Sequence, residues 1–136
     1  MFRVGVRDHI MIAHSLPSPT FGPAQGVHGA TYVVDVVFSR EALDEDNIVV
    51  DIAQAHEVLA AVLKGLRYKN LDDDPRFEGQ ITTTEFLACF IHGELAREVV
   101  GFFEGHLEVK LHESHVAWAS YGGDVVVQAH EAAKRV

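Results

Sequence analysis

FRVGVRDHIMIAH (residues 2–14) and ATYVVDVVFS (residues 30–39) decide the fold class. The first places apolar residues at alternate positions, Phe2, Val4 and Val6, and then becomes apolar; the second is rich in β-branched residues. Both patterns predict strands. Between them Ser15–Val27 holds three of the four prolines and two glycines, the composition of a loop. After a polar link, IVVDIAQAHEVLAAVLKGL (48–66) repeats apolar residues at three- and four-residue spacing through Ile52, Ala55, Val58, Leu59, Val62 and Leu66, which predicts an amphipathic helix. YKNLDDDPRFEG (68–79) reads as loop, with Asp72, Asp73 and Asp74 a solvated acidic run lacking the ligand spacing of a calcium site. ITTTEFLACFIHGELAREVV (81–100) offers threonine caps and then a second helical pattern through Leu87, Phe90, Ile91 and Leu95. HLEVKLHES (106–114) and HVAWASYGG (115–123) predict a closing hairpin, and DVVVQAHEAAKRV (124–136) predicts a terminal helix or an added strand and tail. The order ββααββ points to α+β, an antiparallel sheet of four strands with two helices on one face. The open edges of such a sheet can be closed by neighbouring subunits in a barrel.

Composition narrows the function classes. A chain of 136 residues supports one domain with its own core, here read as 1–136 with 122–136 as a C-terminal extension. Hydrophobic residues make up 48% and charged residues 23%, an ordinary folded composition. A formal charge of −9 argues against nucleic acid or an anionic membrane as partner. Cys89, the one cysteine, allows no intrachain disulfide, and its setting within the second helix reads as a small core residue. No apolar run approaches the roughly 20 residues of a membrane span. With charged residues at Arg3, Arg7 and Asp8, the amino terminus does not read as a secretory signal. A cytoplasmic protein is expected.

Nine histidines are a high count for this length. His14 closes the first strand and His28 opens the second, so a hairpin would bring the two imidazoles together at one end. Two histidines alone do not make a metal site, and solvated strand-end residues would give the same pattern. Dinucleotide loops, P-loops, Cys-x-x-Cys pairs and nucleophile elbows are absent from the sequence.

Ala13-His14-Ser15-Leu16, followed by His28-Gly29-Ala30-Thr31-Tyr32, resembles the paired metal motifs of the 6-pyruvoyltetrahydropterin and 6-carboxytetrahydropterin synthases. Asn47-Ile48-Val49-Val50-Asp51-Ile52 resembles that family's lead into its first helix, Thr82-Thr83-Thr84-Glu85 the start of its second, and Glu113-Ser114 its carboxyl-terminal Glu-Thr pair. Tyr121 falls where members often carry an aromatic residue. The resemblance runs in order from about residue 2 to 121. It implies the T-fold, with subunits assembled into barrels as trimers or hexamers. It also implies a reduced pterin held by Glu113, whose carboxylate can accept from a ring nitrogen and the exocyclic amine together, with Thr84 and Glu85 lining the same pocket.

The departures are as informative. The second histidine of the family's His-Gly-His motif is Ala30 here, so a zinc site would need His14, His28 and a replacement such as His115, with His9 and His112 as weaker choices. The family's catalytic cysteine position holds Ala24. Its Asp-His proton relay is replaced by Arg67 and Tyr68, which leaves Tyr68 and Lys69 as candidate acid-base groups. Alternatively Lys64, Arg67 and Lys69 would bind an anionic substituent, or form a solvated helix end. Two functions follow: a lyase breaking a carbon-oxygen or carbon-carbon bond in a dihydroneopterin-type substrate with altered catalytic residues, or a non-catalytic pterin- or purine-binding protein or structural subunit.

Overall fold

The computed structural model describes residues 1–126. Its elements run β1 (Phe2–His14), β2 (His28–Arg40), α1 (Ile52–Lys64), α2 (Thr84–Val99), β3 (Gly105–Ser114) and β4 (Ala117–Val125), with three short 3₁₀ segments in the connections. The ββααββ order expected from the sequence is the order observed. The four strands form one antiparallel sheet in the order β1-β2-β3-β4.

β1 and β2 pair over their whole length, from Phe2 opposite Arg40 to His14 opposite His28. Residues directly opposite in an antiparallel pair project to the same face. One face therefore collects Val6, Ile10 and Ile12 with Tyr32, Val34, Val36 and Phe38, continued on β3 by Leu107, Val109 and Leu111, all buried. Both helices cover this face. α1 is capped by the Asp51 carboxylate, which accepts from the Gln54 amide at 3.1 Å, and buries Ala55, Leu59 and Leu63 one turn apart. α2 is capped by Thr83 and buries Leu87, Ala88, Ile91, Leu95 and Val99. Such caps satisfy amides that the first turn leaves unpaired, each for about 1 kcal/mol.

Several sequence expectations change in detail. Helical structure begins only at Ile52, which is 54% exposed, while Val49 and Val50 enter the core from the preceding turn. The proline-rich loop contains a 3₁₀ segment, Pro19–Gln25. Cys89 is exposed rather than a core residue, because it lies on the side of α2 opposite the buried stripe. β4 continues to Val125, so the proposed extension at 122–136 starts inside a strand; the rest of the terminal helix-or-tail expectation, residues 127–136, lies outside the described residues. The acidic run is structural in part: Asp74 grips Arg76 at 2.7 Å, and Asp72 binds the Ser15 hydroxyl at 2.7 Å and its amide at 3.1 Å.

The start of β3 requires its glycine. Gly105 has φ +154°, and a Cβ there would run into the Ser39 carbonyl oxygen. Among the described residues no helix is long and apolar enough to cross a membrane.

Candidate functional site

The far end of the β1–β2 ribbon gathers the polar groups. Full pairing brings His14 opposite His28, with ring centroids 4.7 Å apart. His14 is 3% exposed, and its Nδ1 lies 3.0 Å from the hydroxyl of Thr82, itself 3% exposed. Burial and the neighbouring His28 ring hold the His14 pKa below the usual imidazole value, which favours the neutral ring. His28 Nδ1 donates to the Gly26 carbonyl at 2.9 Å. Since a carbonyl can only accept, that bond fixes the proton on Nδ1 and leaves the lone pair of Nε2 free in the neutral ring.

Two imidazoles each hydrogen-bonded through Nδ1 have the usual support of a metal-ligating histidine, with His14 offering Nε2 where its Nδ1–H donates to Thr82. The third ligand is the difficulty. Ala30 lies opposite Ile12 on the same sheet face as His14 and His28, so a histidine there would have completed the set; the alanine methyl packs against the core instead. A replacement ligand at His115 would need it on the strand face of Glu113, but β3 ends at Ser114 after an irregularity between His112 and Ser114, and His115 sits in the exposed turn. Among the described residues no group of three His, Cys, Asp or Glu side chains is arranged to hold a metal. The chain offers a pair, one short of the three protein ligands of a usual catalytic zinc.

The substrate-binding candidates are linked through Tyr32, and Glu113 reaches His14 as well. Glu113 acts electrostatically on both His14 and Tyr32, and Glu85 also acts on Tyr32. Thr84, the first residue of α2, hydrogen-bonds the Tyr32 side chain. Tyr32 is 1% exposed, and burial pushes its phenol pKa upward, so it stays a neutral hydroxyl. Sequence reasoning passed over Tyr32, Thr82 and Asp72. Tyr32 was legible as the polar-tipped residue in an apolar strand; the other two were not, because only chain folding carries the 71–82 segment back to His14.

The candidate acid-base groups go elsewhere. Tyr68 takes a left-handed backbone conformation, φ 59°, and its ring is largely in water, with 76% of the residue exposed. Its amide donates to the Met11 carbonyl at 2.7 Å, and the Lys69 carbonyl accepts from Ala13 at 3.0 Å. The segment is thus stitched along the edge of β1. Lys69 lines a separate cavity of 550 Å³ with Asn70, Asp73 and Arg76. Arg67, considered for anion binding, is occupied instead: it donates to the His9 carbonyl at 2.6 Å and to Asp8 at 3.3 Å. His9 is exposed beside Asp8, and His112 binds Asp35 at 2.8 Å on the sheet face away from the helices. The loop from Ser15 to Val27 supplies no thiol, carboxylate or imidazole.

With this geometry in hand, the likenesses to known proteins are specific. A 6-pyruvoyl tetrahydrobiopterin synthase of Dictyostelium discoideum is 30% identical over 106 residues, covering 76% of each chain. Among solved structures, the Caenorhabditis elegans 6-pyruvoyl tetrahydropterin synthase superposes with a TM-score of 0.78 at 24% identity, covering 90% of this chain and 95% of that one. The Plasmodium falciparum enzyme gives 0.73 at 16% identity, covering 91% and 98%. Those two carry the fold, the four-stranded T-fold expected above. The sequence profile of the family described as 6-pyruvoyl tetrahydropterin synthase matches residues 3–124, nearly all of the described chain. The chain belongs to the 6-pyruvoyl tetrahydropterin synthase family.

Proposed function

We propose that the protein binds a reduced pterin at the His14–His28 end of its sheet and acts on it as a lyase, cleaving a carbon-oxygen or carbon-carbon bond of a dihydroneopterin-type side chain. The observation that carries this reading is that Glu113 acts on both His14 and Tyr32, while Thr84 bonds Tyr32 and His14 meets His28. Glu113 supplies an acceptor pair for the aminopyrimidine edge, and Thr84 and Glu85 sit at the amino-terminal end of α2. The family relation, whose named members are 6-pyruvoyl tetrahydropterin and tetrahydrobiopterin synthases, supports the ligand class. Zinc, where present, would be held by His14 and His28 with a ligand from outside this set, and would supply Lewis-acid polarisation of a substrate oxygen.

A homo-oligomer, as trimer or hexamer, belongs to the same proposal: β1 and β4 are the two edges of the sheet, and pairing edge to edge with further copies removes that liability. A cytoplasmic setting is part of it as well.

The second reading, a pterin- or purine-binding protein without turnover or a structural subunit, is favoured by one observation. The positions where a nucleophile and relay were expected hold Ala24 and an Arg67 committed to Asp8 and the His9 carbonyl.

The test is elemental analysis and mass spectrometry of small molecules released from protein purified without added zinc, with 7,8-dihydroneopterin turnover measured alongside. A released pterin, lost in Glu113→Gln, together with turnover supports the lyase; a released pterin without turnover supports the binding protein; no pterin at all overturns both.

A further inference from the structure

Charge is unevenly distributed about the His14–His28 end of the sheet. The chain reaches it from the strand ends at His14 and His28, from Thr82 and Thr84 at the entry to α2, and from Glu113 near the end of β3. Residues 8–39, 77–96 and 111–126, which supply all of these, contain no lysine or arginine. Apart from the His28 ring, the charged groups acting on the buried side chains are carboxylates: Asp72 and Glu113 on His14, Glu113 and Glu85 on Tyr32. Asp72 is fixed in place by the residue after His14, accepting from the Ser15 hydroxyl at 2.7 Å and from its amide at 3.1 Å.

The described cations nearest in the chain are engaged elsewhere. Arg67 donates to the His9 carbonyl at 2.6 Å and to Asp8 at 3.3 Å. Arg76 donates to Asp74 at 2.7 Å and to the Gly65 carbonyl at 3.1 Å, and Lys69 lines the separate cavity with Asp73 and Asp74. On the open face Arg7 is held by Asp35 at 2.6 Å, and the Lys110 ammonium sits 4.2 Å from the centre of the Trp118 ring. A helix amino terminus attracts anions, but that of α2 already carries Glu85 in its first turn, and Thr83 caps its Phe86 amide. The site thus offers a substrate side chain the hydroxyls of Thr82, Thr84 and Tyr32 and the oxygens of carboxylates. These are partners for alcohols. Phosphates are held by charged donors such as arginine and lysine.

We infer that this site selects a dihydropterin whose 6-polyhydroxyalkyl side chain carries no phosphate and turns away the corresponding triphosphate, with Asp72 as a specificity-determining carboxylate; this rests on the pterin reading above. A triphosphate would bring several negative charges toward Asp72, Glu85 and Glu113 with no free cation among the described residues to receive them, and like charges in a partly desolvated site repel strongly. A free polyol instead donates its hydroxyls to the same oxygens. Of the three carboxylates, Glu113 is assigned to the aminopyrimidine edge and Glu85 to the pocket beside it. Asp72, reaching His14 from the 71–73 turn, is left to face the side chain.

The experiment measures the affinities of neopterin and neopterin triphosphate for wild type and D72N by calorimetry, at low salt and at about 1 M salt, where the screening length is about 3 Å. Circular dichroism checks folding. Asparagine can keep both bonds to Ser15 while losing the charge. Wild type is expected to bind the triphosphate at least about tenfold more weakly than neopterin at low salt, and the gap should narrow to about threefold or less at high salt. D72N should narrow the low-salt gap by about threefold or more; because this is read as a ratio of two affinities, a general loss of binding cancels. Triphosphate bound as tightly as neopterin, a gap indifferent to salt, or an unchanged ratio in folded D72N overturns the inference and leaves the pterin reading standing. The salt comparison in wild type decides the matter should D72N fail to fold. A wild type that binds neither compound removes the pterin reading, and the inference falls with it.

Discussion

The two faces of one sheet, built from the same strands, treat their polar residues in opposite ways. On the helix-covered face, His14 and Thr82 are almost fully buried and bonded to each other, and burial drives the imidazole toward its neutral form. On the open face, Arg7, Asp35 and His112 are partly solvated, and hydrogen bonding to Arg7 drives Asp35 toward its charged form. Period-2 alternation assigns residues to the faces, but the helices decide the dielectric each face feels. A buried, neutral polar pair and a solvated, charged one thus stand back to back on the sheet.

The comparison is broken most forcefully at neighbouring β2 positions. Phe38, 1% exposed and packed edge-on against Phe103 at 5.0 Å, faces the core, whereas Val37 faces the open side. Phe38→Ala should cost about 3–5 kcal/mol, and Val37→Ala less than about 1 kcal/mol, read as urea midpoints at unchanged m-value. Equal losses would mean that the open face is also covered in solution.

Thr82→Val tests the buried histidine next. It leaves His14 Nδ1 without its partner and should destabilise by about 1–3 kcal/mol. A neutral result would show that His14 finds another partner.

Acid titration separates the faces by sign. His14 has a folded pKa below its unfolded value, so between the two values the unfolded state binds more protons and stability falls as pH falls. This penalty is absent above about pH 6.5 and accrues below it at up to about 1.4 kcal/mol per pH unit. His14→Gln should flatten that slope. Asp35, also depressed, contributes stability above its unfolded carboxylate pKa that is lost as pH falls through its folded value. Asp35→Asn should therefore alter the acid limb below about pH 4. It is the smallest effect of the set, and an acid limb unchanged in Asp35→Asn would show that the Arg7–Asp35 pair does not hold the carboxylate in solution.

How far the site was legible follows from the range of the signals. The His14–His28 meeting could be expected because both residues border one loop and hairpin pairing is local. Glu113, Thr84 and Glu85 came from motif resemblance; Glu113 acts on His14 and Tyr32, and Thr84 and Glu85 act on Tyr32. His115 failed as a strand residue because an irregularity at the end of β3 shifts the alternation that a regular strand would keep. Tyr68 and Lys69 were placed by sequence position alone, and edge pairing with β1 carries them to the outside.

The sequence by itself determined the element order, the two helix faces and the polar or apolar character of each strand face, because hydrophobic periodicity and capping are read within a few residues. Only tertiary structure decided that Asp35 meets Arg7 and His112, that Thr82 closes on His14, and that Cys89 and Tyr68 face solvent. These depend on register and on helix docking between segments tens of residues apart, and no local pattern of side chains records them.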